Sequence, residues 1–477
     1  MATVSTAFNI AQGALDADQA ALDIVANNTA NANTPGYTLE VPVWEQNDAV
    51  SFNNVSFGTG VSMTGPQSQR SRVLEQALQQ QTQAQSATSA RLDALNQMEA
   101  LFSGATSTGT DSSTASGIGT DLSNFFQSFA SLEASPADDS LRQNVLSAAG
   151  TLASDFNGAA AQLTTQRESL DEESGSVVQQ ANTLLQNIAQ LNLQIESQSP
   201  NTDAGSLEDQ RQQDLTNLSQ LMGIRTVTTE DNGLTVTTMG GALLVSEGQA
   251  FQVTSGVSDG VTHFFDSQGN DITADLTSGG GQLGGILTAR DEDIPQTATE
   301  LDELAYGVAT AVNTQNAAGT DLNGNAGAAI FTLSDGSPIT SATDLAAQIA
   351  VGMTDPDGIA AAASGAGSSS NANAVAMAAL ETSGIVNGVS ATNAFSDMVT
   401  SLGSLTSEVS SENTAQQAGL TQLQNQIGSL SGVNLNDEAA SLETLEQSYQ
   451  AASKVFTVLA EVMTSALNLG VETTYTS

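Results

Sequence analysis

The chain has 477 residues, room for roughly two to four domains, and carries 52 acidic against nine basic side chains, a formal charge of −43. The nine cations are scattered, which argues against nucleic-acid phosphates or an anionic membrane surface as partners. There is no cysteine for a disulfide or thiolate metal site, and no apolar run of the roughly 20 residues that insertion into a membrane takes.

The N-terminus lacks a basic segment followed by an apolar one, so no cleavable leader is expected and an exported chain would keep its N-terminus. Aromatic residues make up 4% of the chain, and Ala, Ser, Thr, Gln and Gly dominate. Long helices packed through small side chains suit this composition better than one large core.

The first expected helix has a seven-residue stride through Met1, Val4, Phe8, Ala11, Leu15, Leu22, Val25, Thr29 and Ala32, interrupted by Asp18. Spacings of three and four mark a coiled-coil seam, although a helix lying on its own domain shows them too. Asn27, Asn28, Asn31 and Asn33 weaken the helix by competing for backbone hydrogen bonds. Pro35-Gly36 then stops it, in the order that a type II turn requires. Residues 38–65 read as extended structure, with a turn at 58–60. Pro66 is expected to open a Gln-rich helix running to about Phe102, followed by a flexible Ser/Thr/Gly loop over 103–120.

The most regular segment follows. Phe156, Leu163, Leu170, Val177, Leu184 and Leu191 recur every seven residues, with Ala160, Ala181, Ile188 and Ile195 completing the stripe. One helix from about Ser140 to Ser197 would be about 85 Å long, unless Gly158 or Gly175 bends or splits it. Its narrow stripe needs partner helices. Candidates are residues 66–102, the row Ile294, Ala298, Leu301, Ala305, Val308 and Val312, and the row from Phe395 to Leu430. Ile224 to Asp275 is rich in Val, Thr and Gly with frequent turn pairs, and reads as four to six antiparallel strands.

Near the end, Asn436 is the expected cap of a last helix with Asp437 and Glu438 in its first turn. That helix repeats the stride through Leu442, Leu445, Tyr449, Ala452, Phe456, Leu459, Met463 and Ala466. The fold class expected is mainly α with an inserted β-rich domain: paired N- and C-terminal heptad helices, a long helical bundle rod and outer antiparallel β structure. The expected division is 1–45 with 431–477 as a terminal coiled-coil domain, and 46–223 with 291–318 and 391–430 as the bundle. Residues 224–290 form the β-rich domain and 319–390 a small variable outer region.

No catalytic constellation emerges, and no cofactor or metal site is expected. His263, the only histidine, stands in an expected strand beside Phe264 and Phe265 without a nucleophile or motif for company. The stretch from Asp321 to Gly327 alternates oxygen side chains like the start of a calcium loop. It has Ala326 where that loop needs Gly and Thr332 where it needs Glu, so it reads as an Asn-Gly turn. The Gly-rich run 279–285 lacks the Lys-Ser/Thr of a phosphate loop and reads as a turn between strand and helix.

The stretch ANNTANANTPGYT at 26–38 resembles the N-terminal signature of the bacterial flagellar axial family of rod, hook and hook-associated proteins. The resemblance rests on Asn27, Asn28, Asn31, Thr34, Pro35, Gly36 and Tyr37. RSRVLEQAL at 70–78, SLEDQRQQDLTNLSQLMGI at 206–224 and GGQLGGIL at 280–287 resemble the hook-associated branch of that family, in particular its hook–filament junction members. The ending from Ser431 to Phe456 is similar to the C-terminal signature of hook and hook-associated proteins. After TPGY the family commonly has Arg, whereas Thr38-Leu39-Glu40 stands here.

The resemblance implies a structural subunit of the flagellum at the hook–filament junction, required for flagellum assembly and exported unfolded by the type III route. It implies self-association in a helical or ring layer, hook protein below, a second junction protein above and a cytoplasmic export chaperone at the C-terminal helix. The terminal helices would form an inner tube through Val4, Phe8, Leu15, Leu22, Val25, Leu442, Leu445, Tyr449, Phe456, Leu459 and Met463. The alternatives are another axial protein of hook or rod type, or a coiled-coil extracellular adhesin, which would need an anchor or a leader.

Overall fold

The computed structural model describes all residues except 1, 53–54, 103–116, 199–202, 259 and 473–477. It opens with helix α1 (Ala2–Asn31), then strands β1 (Glu40–Gln46), β2 (Val50–Phe52), β3 (Val55–Phe57) and β4 (Val61–Ser68). β1 and β4 form an antiparallel ribbon with a bulge between Val43 and Trp44, and β2 and β3 pair as a hairpin at its end. Pro66 lies in β4 opposite Pro42, so extended structure continues past the expected helix start. A two-stranded ribbon tolerates both prolines because each strand has one unpaired edge.

The Gln-rich helix α2 therefore begins only at Arg72 (Arg72–Phe102). The expected flexible loop falls mainly on 103–116, outside the described residues. Its last residues already belong to α3 (Ile118–Ala134), whose Phe125, Phe126 and Phe129 are buried. Phe125 meets Phe126 and Phe129 at ring distances of 5.3 Å and Phe331 at 5.5 Å.

Helix α4 (Asp139–Gln198) runs unbroken for 60 residues, about 90 Å. Neither Gly158 nor Gly175 splits it. Phe156, Leu163, Leu170 and Val177 are buried as the stride requires, but beyond them Leu185 is buried and Leu184 only partly. A helix of 3.6 residues per turn drifts by about 20° per heptad, which moves the buried row by one residue.

α5 (Ser206–Leu221) folds back on α4 and α2. The strands β5 (Ile224–Thr228), β6 (Leu234–Thr238), β7 (Leu243–Ser246) and β8 (Gln249–Ala250) form an antiparallel sheet in that order. β9 (Thr254–Ser258) and β10 (Val261–Phe265) add a hairpin, giving six strands where four to six are expected. The Gly-rich stretch is not a strand-to-helix turn. It joins two short helices, α6 (Thr273–Gly279) and α7 (Gly281–Thr288), through the positive φ angles of Gly280 (90°) and Gly281 (72°). α7 also presses on α2 so closely that a Cβ at Gly285 would stand 2.2 Å from the Ala87 carbonyl oxygen.

A π-helical turn, Ala289–Asp293, leads into α8 (Ile294–Ala317). The next stretch makes only short elements: β11 (Gly319–Thr320), β12 (Phe331–Leu333), α9 (Leu345–Gln348), β13 (Ile349–Val351), β14 (Ala362–Ala363) and α10 (Ala372–Ala378). Ile330, Phe331, Leu345, Ile349 and Met377 share one buried cluster with the long helices. α11 (Ala391–Ser431) then lies along α2, and α12 (Leu435–Glu472) returns to α1. The cap of α12 is Asn434 rather than Asn436: its side chain accepts the Asn436 N–H at 3.0 Å. The fold is mainly α with an inserted β region.

Candidate assembly interface

The Asn-rich end of α1 is a hydrogen-bond hub. Asn28 is buried, and its Nδ2 donates to the Glu40 carbonyl (2.8 Å) and to the Glu438 carboxylate (3.2 Å). Its Oδ1 accepts the Tyr37 hydroxyl (2.8 Å) and the Glu40 N–H (3.1 Å). One side chain thus ties together α1, the turn, β1 and the first turn of α12. Burial, then the neighbouring Glu40, Asp209 and Glu438, push the Tyr37 phenol well above its ordinary range and keep it a donor.

The other motif residues build the turn. Asn31 donates to the carbonyl and side chain of Asn27, and accepts from the Thr34 hydroxyl. The Tyr37 N–H closes on the Thr34 carbonyl at 3.2 Å, with Pro35 exposed and Gly36 at φ 81°. A side chain at Gly36 would be strained at that φ and would meet Gln213 of α5.

The hub is rooted in the bundle through α5. Asp209 accepts from the Thr38 backbone (2.9 Å) and hydroxyl (2.6 Å), and pairs with Arg70 (2.9 Å), whose other arm meets Glu208 (3.2 Å). Asp203 likewise receives the backbone and hydroxyl of Ser68 at the end of β4. Arg211 faces the other way and donates to Asn192 Oδ1 (2.9 Å) and to the Asn232 carbonyl (2.8 Å). Asn192, fully buried on α4, donates in turn to the carbonyls of Leu234 and Glu247 and fastens the sheet to the long helix. Sequence reasoning missed Asn192 and Asp203. The available signal for Asn192 was a polar residue in the apolar row between Ile188 and Ile195.

Beyond the hub, α1 and α12 lie side by side. Phe8 and Phe456 touch with ring centroids 4.4 Å apart. Ala11, Ala17, Ala21, Ile24 and Val25 of α1 are buried, and Leu15 and Leu22 half-buried. Val4 stands one turn before Phe8 in the same helix. On α12, Leu445, Phe456, Leu459 and Met463 are half-buried, whereas Leu442 and Tyr449 are exposed. A second row of α12, Val455, Val458 and Val462, also faces solvent. Asp18, the charged interruption of the α1 stride, is buried with its Oδ2 unpaired among the described residues. The pair therefore carries an inner seam closed by Phe8 and Phe456 and an outer apolar row with no cover.

The remaining candidates are local structure. His263, midway along β10, has its Nδ1 2.7 Å from Asp271 Oδ2 and ties the strand to the segment that follows it. Asp321 accepts the Asn325 N–H at 2.7 Å in a turn with Gly324 at φ 84°. No helix among the described residues is long and apolar enough to cross a membrane.

Residues 95–331 match the family model described as the Flagellar hook-associated protein FlgK helical domain, and residues 8–38 match that of the Flagella basal body rod protein. The chain is 30% identical over 369 residues to Flagellar hook-associated protein 1 of Escherichia coli, covering 75% of this chain and 65% of that one. For the Salmonella typhimurium protein of the same name the figures are 29%, 74% and 63%. These matches thus span a little under two thirds of the relatives' length. The Bacillus subtilis protein of that name is 26% identical over 98% of this chain and 99% of its own. The solved structure of the flagellar hook junction protein FlgK from Burkholderia pseudomallei shares the fold. Its TM-score is 0.64 at 19% identity, over 74% of this chain and 99% of that one.

Proposed function

We propose that the chain is a member of the flagellar hook-associated protein 1 family and a structural subunit joining hook to filament in the bacterial flagellum. The observation that carries this reading is the α1–α12 pair. It closes on itself at Phe8 and Phe456, is tied together by Asn28 and anchored to the bundle through Asp209, and presents Val455, Val458 and Val462 to solvent.

An exposed apolar row on a two-helix unit is stabilised by burial against further copies of the same unit. We assign the terminal pair, 1–45 with 431–477, to an inner tube of self-associated subunits in a ring or helical layer. The bundle, 46–223 with 291–318 and 391–430, surrounds it, and the β-rich residues 224–290 and the 319–390 region lie outward. Hook protein stands below this layer and the second junction protein above, outside the cell. Before export, the apolar face of α12 is the docking site of the cytoplasmic chaperone. The role is mechanical and involves no catalysis.

Deletion and complementation in the source bacterium test the proposal. Cells without the protein should build hooks but shed filament protein into the medium and fail to swim, and immunogold labelling of complemented cells should mark the distal end of the hook. Normal filaments in the deletion strain, or label elsewhere on the cell, would refute the assignment.

A further inference from the structure

Three of the nine basic side chains of this acidic chain line a single cleft. Arg70, Arg72 and Arg211 share a cavity of about 110 Å³ with Glu75, Gln79, Glu208 and Gln212, between the start of α2, α5 and the β5–β6 edge. That volume is roughly three to four water molecules' worth, enough for one carboxylate or one phosphate-sized ion. Two of its donors, Arg70 Nε and Gln212 Nε2, are buried and have no hydrogen-bond partner among the described residues. Arg211 is more than nine-tenths buried, and desolvation lowers its pKa. Arg72 stands exposed at the rim. Arg70 is partly answered by Glu208 and Asp209, and burial raises the Glu75 pKa above its ordinary value. Unpaired buried donors beside guanidinium groups are satisfied by an incoming acceptor, and guanidinium forks fit planar or tetrahedral oxyanions best.

We propose that this cleft is a binding site for a single oxyanion group, a carboxylate or phosphate-sized ion, held by Arg70, Arg72 and Gln212 with Arg211 behind them. The proposal stands independently of the junction assignment. Two sources share the chemistry: a free anion, and an acidic side chain of a second copy of this chain, which carries 52 of them.

Titration of the purified full chain with inorganic phosphate at constant ionic strength, followed by phosphorus NMR, tests the site. Saturable binding at one site per chain is expected, weakened at least tenfold in Arg72→Ala and in Gln212→Leu. Lys454→Ala, which removes a cation on the distant α12, should leave it unchanged. Thermal melts of each variant establish that the fold is retained. Absence of saturable binding by the wild-type chain, or equal weakening in Lys454→Ala, overturns the site. The same titration on the assembled polymer separates the sources: phosphate is excluded where a neighbouring copy's carboxylate fills the cleft, and still binds where the occupant is a free ion.

Discussion

Helices α4 and α12 carry the same seven-residue stride and end in opposite environments. In α4, Phe156, Leu185, Ile188 and Ile195 are all 0% exposed, enclosed by α3, α5, α7 and the sheet. In α12, Val455 and Val458 are 53% and 57% exposed, and α1 is the main neighbour. A heptad row specifies a stripe, and the number of elements lying against it decides whether the stripe is a core or a contact surface. The bundle completes its core within one chain. The terminal pair leaves an apolar row exposed to solvent.

Charge placed in the two seams should show the largest contrast. Leu185→Asp puts a carboxylate into a closed core and should cost roughly 4 kcal/mol or more, read as a large fall in the melting temperature of the monomer. Phe456→Asp should change monomer stability by less than about 1 kcal/mol, because its seam is half-open, while abolishing polymerisation and swimming. Equal melting losses would dissolve the distinction between the two helices.

The polar anchors should differ in the same sense. Asn192→Leu leaves the Arg211 guanidinium and the carbonyls of Leu234 and Glu247 without their partner, at about 2–4 kcal/mol in global unfolding. Asn28→Ala should leave the global melt almost unchanged and act locally, speeding hydrogen exchange in residues 20–45 and 435–445. A global loss as large as that of Asn192→Leu would place the terminal unit within the cooperative core.

The smallest effect belongs to the bundle alone. Burial and the neighbouring Asp121 push the Asp155 carboxyl up to about 7, against an ordinary value near 3.8. The folded state therefore holds a proton that the unfolded state has released, so stability is full below about pH 4 and declines as pH rises towards 7. Asp155→Asn should flatten that part of the pH–stability curve measured by urea unfolding. A slope unchanged by the substitution would contradict the raised Asp155 pKa.

Much of this contrast was legible in the sequence because it rests on period. The α4 stripe and the terminal strides follow from the spacing of Leu, Val, Phe and Ala, and the β region from its Val, Thr and Gly content and its turn pairs. The misplaced start of α2 came from reading Pro66 as a helix opener, when a two-stranded ribbon holds it as well. The one-residue drift at Leu185 arises because 3.6 does not divide seven. Least visible were the long-range polar ties. Asn28 was recognised as part of a motif, but that it grips Glu438, 410 residues away, depends on tertiary placement. The pairing of Asp209 with Thr38 and Arg70 is equally silent in local pattern.

The central claim is that the terminal seam is completed by neighbouring subunits while the bundle is complete alone. Hydrogen exchange followed by mass spectrometry on the same chain, as dilute monomer and after assembly into the polymer, tests it most directly. Residues 2–31 and 435–472 should exchange rapidly in the monomer and become strongly protected in the polymer, with 140–195 protected in both. Terminal helices protected in the dilute monomer as strongly as α4 would contradict the claim.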